Sequence, residues 1–203
     1  MVTFDAAYFS TVYRNYAAQN PQRKLRFYRR LLDQHPGGRI LDMGCAFGAF
    51  LWTLGAQWTR YGIDMSAHAL RSAPMRVAVA SADALPFTGE FDAITAFDTL
   101  EHVPNLDAVG RFIATLKPGG IFVMVVPVYD GPLGWLVRLL DHDETHIHKQ
   151  SRKWWLEWVG NHLDVKSWQG IFRYLVGTYY VHWPTRWFRS IAPAIVIVAR
   201  KAV

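Results

Sequence analysis

The sequence predicts an α/β domain: a doubly wound, mostly parallel, seven-stranded sheet with an antiparallel last strand and helices on both faces. Three observations carry this prediction. Short apolar, β-rich segments recur along the chain, helical or polar connections separate them, and the first runs through a glycine turn into a further apolar segment, as a βα unit begins. Seven segments qualify: residues 39–43 (RILDM), 59–64 (TRYGID), 75–81 (MRVAVAS), 91–97 (FDAITAF), 120–127 (GIFVMVVP), 164–172 and 194–200. Strands alternating with helices imply a sheet covered on both sides.

Helices are marked by their periodicity. The first 35 residues read as two, one within residues 6–18 and one over 21–35 (PQRKLRFYRRLLDQH), separated by Asn20 and Pro21. In the second, Leu25, Tyr28, Leu31 and Leu32 recur at helical spacing, with Arg23, Arg26 and Arg30 on another face. HisProGlyGly at 35–38 ends it. Residues 107–116 form another, closed by LysProGlyGly, and 152–163 (RKWWLEWVGNHL) another, whose Trp154, Trp155 and Trp158 cover the sheet or roof a pocket. Apolar residues 47–54 follow the first glycine turn as a further helix. No repeat, low-complexity tract or linker divides the chain, so residues 1–203 are taken as a single domain.

Composition narrows the function classes. Half of the 203 residues are apolar, enough for one sizeable core. The longest uncharged apolar stretch, near residues 121–128, is broken by Pro127 and falls far short of the roughly 20 residues that span a bilayer. The N-terminus lacks the basic and apolar regions of a signal peptide. Cys45 is the only cysteine, so no internal disulfide forms, which suits a cytoplasmic location. A net charge of +6 leaves room for an anionic partner, whether nucleic acid, membrane surface or phosphorylated substrate. Nine Trp and nine Tyr, many beyond residue 150 and interleaved with Arg and Lys, suit a substrate or interface surface as well as a core.

The segment ILDMGCAFGAF, with Gly44 and Gly48, turns sharply between strand and helix and lets a ligand approach the backbone. Its pattern, Asp-x-Gly-Cys-x-x-Gly from Asp42, differs from the GxGxxG of dinucleotide sites, which disfavours NAD. Asp64 ends the second strand 22 positions after Asp42, where a carboxylate can accept both ribose hydroxyls of a nucleoside. Asp83, in SADALPF after the third strand, can accept a hydrogen bond from an adenine amino group. Three carboxylates at successive strand ends converge where open α/β sheets bind ligands.

In combination, ILDMGCAFG, YGID, ADALPF, FDAITAFDTLEHV and LKPGGIF resemble the ubiquinone-methyltransferase-like branch of the Rossmann-like class I S-adenosylmethionine-dependent methyltransferases, over roughly residues 39–127. The resemblance implies S-adenosylmethionine as cofactor, with Gly44, Cys45 and Gly48 at its methionine part, Asp64 at the ribose and Asp83 at the adenine edge. It extends to Asp42, Met65, Ala82, Ala84 and Leu85. Residues 1–36 then form a helical cap, 37–128 the cofactor-binding half and 129–203 the acceptor-side half. Ala46 departs from the pattern, standing where the family usually has glycine; its methyl group is tolerated if the local φ is negative.

On the acceptor side, the resemblance places Asp98, Glu101 and His102, in AFDTLEHV, beside the methyl group, with Asp98 counted among the cofactor contacts. Glu101 and His102 otherwise brace the next helix. The cluster DHDETHIHKQ at 141–150 brings His142, His146 and His148 among three acids, and its THxH portion resembles a lid over the acceptor. Its spacing matches no zinc pattern, so no metal is expected. His146 is the candidate base, with His102 and Glu101 as the other catalytic candidates. The expected reaction is methyl transfer to a small or carrier-linked organic acceptor, first at oxygen, then nitrogen or carbon. Two alternatives stand beside it: methylation of nucleic acid, disfavoured because no Asp/Asn-Pro-Pro-aromatic motif follows the fourth strand and no cysteine lies there, and a non-catalytic cofactor-binding regulatory module. Peripheral membrane contact is compatible with the aromatic and basic C-terminal half.

Overall fold

The computed structural model describes residues 16–73, 76–85, 90–141, 143–176 and 179–203. Most of the first expected helix (6–18), together with Pro86, Phe87 and His142, lies outside these residues. In chain order the helices are α1 (Tyr16–Gln19), α2 (Gln22–Arg30), α3 (Ala67–Leu70), α4 (Leu106–Ile113), α5 (Gly134–Leu140) and α6 (Arg152–Gly160). The strands are β1 (Gly38–Met43), β2 (Trp58–Asp64), β3 (Arg76–Val79), β4 (Ala93–Phe97), β5 (Ile121–Pro127), β6 (Asp164–Val176), β7 (Tyr179–Thr185) and β8 (Ala194–Arg200).

They form one sheet in the order β3-β2-β1-β4-β5-β8-β6-β7. Strands β1 to β5 are parallel, and β8, the last, runs antiparallel between β5 and β6 as expected. The sheet has eight strands rather than the seven predicted. The addition is β7, which pairs antiparallel with an extended β6 from Gly170–Thr185 to Val176–Tyr179. Pro184 sits within β7, which is compatible with an edge strand because an edge tolerates the missing N–H.

Period-two alternation divides the core between two layers. On one side Leu41, Met43, Ile94, Phe122 and Met124 pack under Val109 and Ile113 of α4 and Trp155 and Trp158 of α6. On the other, Ile40, Ala93, Val123 and Val125 pack under Leu25 and Tyr28 of α2, with Leu32, Leu51 and Leu70. Trp155 and Trp158 therefore cover the sheet rather than roof a pocket. All seven residues of β5 are buried, as a central strand covered on both faces requires.

The helix expected over residues 47–54 is absent, and only a single 3-10 turn, Leu51–Thr53, forms there. Gly48 takes a left-handed conformation at φ +73°. The segment buries Phe50, Leu51 and Leu54 as a compact turn instead.

Candidate active site

A cavity of about 450 Å³ opens at the C-terminal ends of β1, β2 and β4. Here the strand order reverses between β1 and β4, the place where open α/β sheets receive ligands. Of the residues singled out from sequence, Asp42, Gly44, Cys45, Asp64, Met65, Ala82, Asp98, Glu101, His102 and His146 line it. Gly48, Asp83, Ala84 and Leu85 do not.

One end of the cavity is shaped by the loop after β1. The N–H groups of Gly44 and Cys45 both donate to the Ile63 carbonyl, at 2.8 and 2.9 Å, tying the loop to β2. Gly44 has φ +73°, and a Cβ there would overlap the Thr99 side chain. Cys45 Sγ packs over Gly62, where a Cβ would stand 2.6 Å from the sulfur. Burial pushes the Cys45 thiol up, so it is a packing group rather than a nucleophile.

Asp64 closes the loop from the other side. Its Oδ2 accepts the Ala46 N–H and its Oδ1 the Ser66 N–H, each at 2.8 Å. Burial raises the carboxyl pKa, while these two bonds oppose the rise. Each oxygen retains a lone pair for a further donor. Ala46 adopts φ +45°, so the negative φ that would have excused its methyl group is not found. A left-handed alanine costs about 1–2 kcal/mol, offset by about 0.4–1 kcal/mol from its stiffer unfolded chain. Ala46→Gly is thus expected to raise stability by about 0.5–1 kcal/mol, read from the denaturant midpoint.

Asp42 is 3% exposed, and its Oδ1 accepts the Thr95 hydroxyl at 2.7 Å. Burial pushes its carboxyl from the ordinary 3.8 to about 7, against the Thr95 bond. The folded state therefore holds this proton more tightly than the unfolded chain. The resulting stability is full below the unfolded value and is lost as pH rises through about 7. Asp42→Asn is expected to flatten this loss, visible as a smaller difference between urea midpoints at about pH 5 and about pH 8.

Asp83 stands outside the residues that line the cavity. It accepts the Ser81 hydroxyl, and its Oδ2 accepts the Asn105 N–H at 3.1 Å, which ties the segment after β3 to the residue that caps α4. Ala82 supplies the apolar wall in its place, and Ala84 is exposed.

At the other end Asp98, at φ +54°, receives Arg173 from β6 and stands 3.8 Å from Lys24 of α2. Burial opposes ionisation of Asp98, but Arg173 and Lys24 outweigh it and hold the carboxyl below its ordinary value. Burial lowers Lys24 to about 8 despite Asp98. Sequence reasoning passed over Lys24, Arg173 and Tyr180. A signal existed for Lys24, which lies four residues before Tyr28, on the buried face of its helix.

Glu101 is fully buried, and neither carboxylate oxygen has a hydrogen-bond partner among the described residues. Burial, followed by the neighbouring Asp98, raises its pKa well above the ordinary value, so Glu101 is a neutral acid. Its main-chain carbonyl accepts the N–H groups of Ile147 and His148, both at 3.0 Å, which draws the 141–150 segment over the cavity. His102 Nδ1 lies 2.8 Å from Thr145 Oγ1, and burial lowers the pKa of the ring.

His146 Nδ1 lies 2.8 Å from Asp141 Oδ1 and 3.1 Å from the Tyr129 hydroxyl, which itself donates to Asp141 Oδ2 at 2.6 Å. Burial would raise Asp141, but bonds from Tyr129, His146 and Lys149 bring it down to about 2. The carboxylate thus stays ionised beside the ring. His148 turns away to the Val103 carbonyl at 2.8 Å. Among the described residues, Glu101, His102 and His146 bring one ligand atom each within 4.8 Å of one another, a grouping able to hold a metal ion.

The fold and cavity define a nucleoside-binding α/β domain of the S-adenosylmethionine type. Gly44 to Ala46 line the cavity with backbone, and the Asp64 carboxylate keeps free acceptor lone pairs beside them, with Asp42 buried at the same wall. Comparison with known proteins agrees. A family model described as a methyltransferase domain matches residues 16–167, and the chain belongs to that family. It is 38% identical over 100 residues to a ubiquinone biosynthesis O-methyltransferase of Albidiferax ferrireducens, covering 41% of this chain and 39% of that one. With another of the same description from Xanthomonas oryzae pv. oryzae it shares 39% over 118 residues, covering 51% and 48%. The chain therefore spans about half or less of the length of these relatives. Among solved structures, a geranyl diphosphate C-methyltransferase of Streptomyces coelicolor A3(2), in complex with S-adenosyl-L-homocysteine, superposes with a TM-score of 0.65 at 15% identity, over 89% of this chain and 76% of that one. The cofactor is S-adenosylmethionine. No helix among the described residues is long and apolar enough to cross a membrane.

Proposed function

We propose that this chain transfers the methyl group of S-adenosylmethionine to an oxygen of a small or carrier-linked organic acceptor. The observation that carries the proposal is His146 in the cavity wall, with Asp141 2.8 Å behind its Nδ1. Methyl transfer is an in-line displacement, for which the bound cofactor supplies an electrophilic carbon. An oxygen acceptor must lose a proton, and a histidine oriented by a carboxylate is suited to take it. With Nδ1 held by Asp141, Nε2 is the position for that proton. Glu101, uncharged, can donate a hydrogen bond to the acceptor without competing for its proton. The curated relatives described as O-methyltransferases support oxygen over nitrogen or carbon.

The test is a panel of phenols, carboxylic acids and amines incubated with the chain and S-adenosylmethionine, with S-adenosylhomocysteine quantified. Turnover on phenolic or other hydroxyl acceptors is expected. Turnover confined to amines, or cofactor binding without turnover on any acceptor, would overturn the proposal.

A further inference from the structure

The edge strand β7 has two different sides. Its inward residue Tyr180 lines the cavity, while Tyr179 and Trp183 point outward and are 59% and 52% exposed. The outward side continues in both directions through ring contacts. Arg23 of α2 lies 4.3 Å over the Tyr179 ring. Trp183 stacks on Phe172 at 5.4 Å and meets Phe188 at 6.1 Å. The turn beyond β7 ends in Trp187, 92% exposed, and Phe188, 52% exposed.

Charge follows the same path. Residues 22–30 and 179–192 contain no acidic residue, and they expose Arg23, Arg26, Arg29, Arg30, Arg186 and Arg189. Arg23, Arg26 and Arg30 share a helix face by their spacing. Arg189 lies 4.3 Å over the Trp168 ring, a cation held at the rim of the aromatic surface. Nearby, a Cβ on Gly131 would come within 3.1 Å of the Ser190 carbonyl, so the turn abuts the loop leading into α5. That helix exposes Trp135, Leu139 and Leu140.

We infer that the outer face of β7 and its following turn dock onto an anionic lipid bilayer, with Trp187 and Phe188 entering the interface and the arginines of α2 and the turn meeting the headgroups. Tryptophan and arginine favour this boundary, where an apolar body and a polar tip are both satisfied. Aromatic and basic residues also suit single-stranded nucleic acid. The aliphatic side chains of α5 beside the turn favour lipid, because bases stack on rings and gain little from leucine. With Tyr180 on the inner side of the same strand, docking would set the acceptor end of the cavity close to the bilayer. The inference is independent of which atom receives the methyl group.

The test is sedimentation of the full chain with phosphatidylcholine vesicles, with and without phosphatidylglycerol. Binding is expected on the anionic vesicles and is expected to weaken as salt screens the arginines. Trp187→Ala and Phe188→Ala should each lower partitioning about tenfold, with cofactor affinity unchanged as the check on folding. Arg186→Gln with Arg189→Gln should reduce the preference for anionic over neutral vesicles, with the arginines of α2 retaining the rest. Equal sedimentation with and without phosphatidylglycerol would overturn the inference, as would unaltered binding by the Trp187 and Phe188 variants. So would displacement of the protein from vesicles by polyuridylate, or a dimer in solution that the same two variants dissociate.

Discussion

Asp64→Ala is expected to weaken S-adenosylmethionine binding about a hundredfold or more by calorimetry. Two contributions add. The carboxylate accepts the Ala46 and Ser66 N–H groups, so its removal frees the glycine loop on one side and the start of α3 on the other. It also removes the acceptors for the two ribose hydroxyls, and hydrogen bonds to a charged group contribute about 1.5–3 kcal/mol each. Asp64→Asn separates the two. The amide keeps the volume and one acceptor oxygen, so the loop stays tethered on one side while the charge is lost, and a loss nearer tenfold is expected. Thermal unfolding of both variants, run without cofactor, shows how much of each effect belongs to the loop itself. Affinity unchanged in Asp64→Ala would remove this residue from the cofactor site.

The cofactor half was legible in the sequence because its determinants are local. A strand, a glycine turn and an acid at the next strand end follow one another within 22 residues from Asp42 to Asp64, and each declares itself by residue type. The acceptor half is assembled from distant pieces. Asp98 and Arg173 are 75 residues apart, Lys24 comes from the opposite direction, and none of the three predicts the others. His146 was legible as a polar cluster, but its orientation depends on Tyr129, two residues past the end of β5, and on Asp141, whose carboxylate is fixed by three donors. Strand β7 was missed because its aromatic residues, interleaved with basic ones beyond residue 150, read as a substrate or interface surface or as core. The stretch is nonetheless β-rich. Asp83 follows the third strand as read, and its bonds from Ser81 and from Asn105, 22 residues on, add a tie that the sequence did not show.

His146→Ala is expected to lower kcat about a hundredfold or more with an oxygen acceptor, and to leave cofactor affinity unchanged. Base catalysis by a positioned side chain contributes about 10²–10⁴-fold, and Asp141 and Tyr129 hold the ring at Nδ1, while Nε2 stands 3.8 Å from Asp143. Asp141→Asn should therefore reproduce part of the loss through orientation, because an amide can turn its NH₂ toward Nδ1 and favour the other tautomer. Glu101 gives the contrasting case. Held neutral by burial and by Asp98, it already resembles glutamine in charge, so Glu101→Gln should change kcat by less than about threefold, whereas a base at this position would lose most of its activity on the same change. A large fall in Glu101→Gln with little effect in His146→Ala would transfer the base from His146 to Glu101. The reverse order is what the buried, unpaired carboxyl of Glu101 and the carboxylate-backed ring of His146 require.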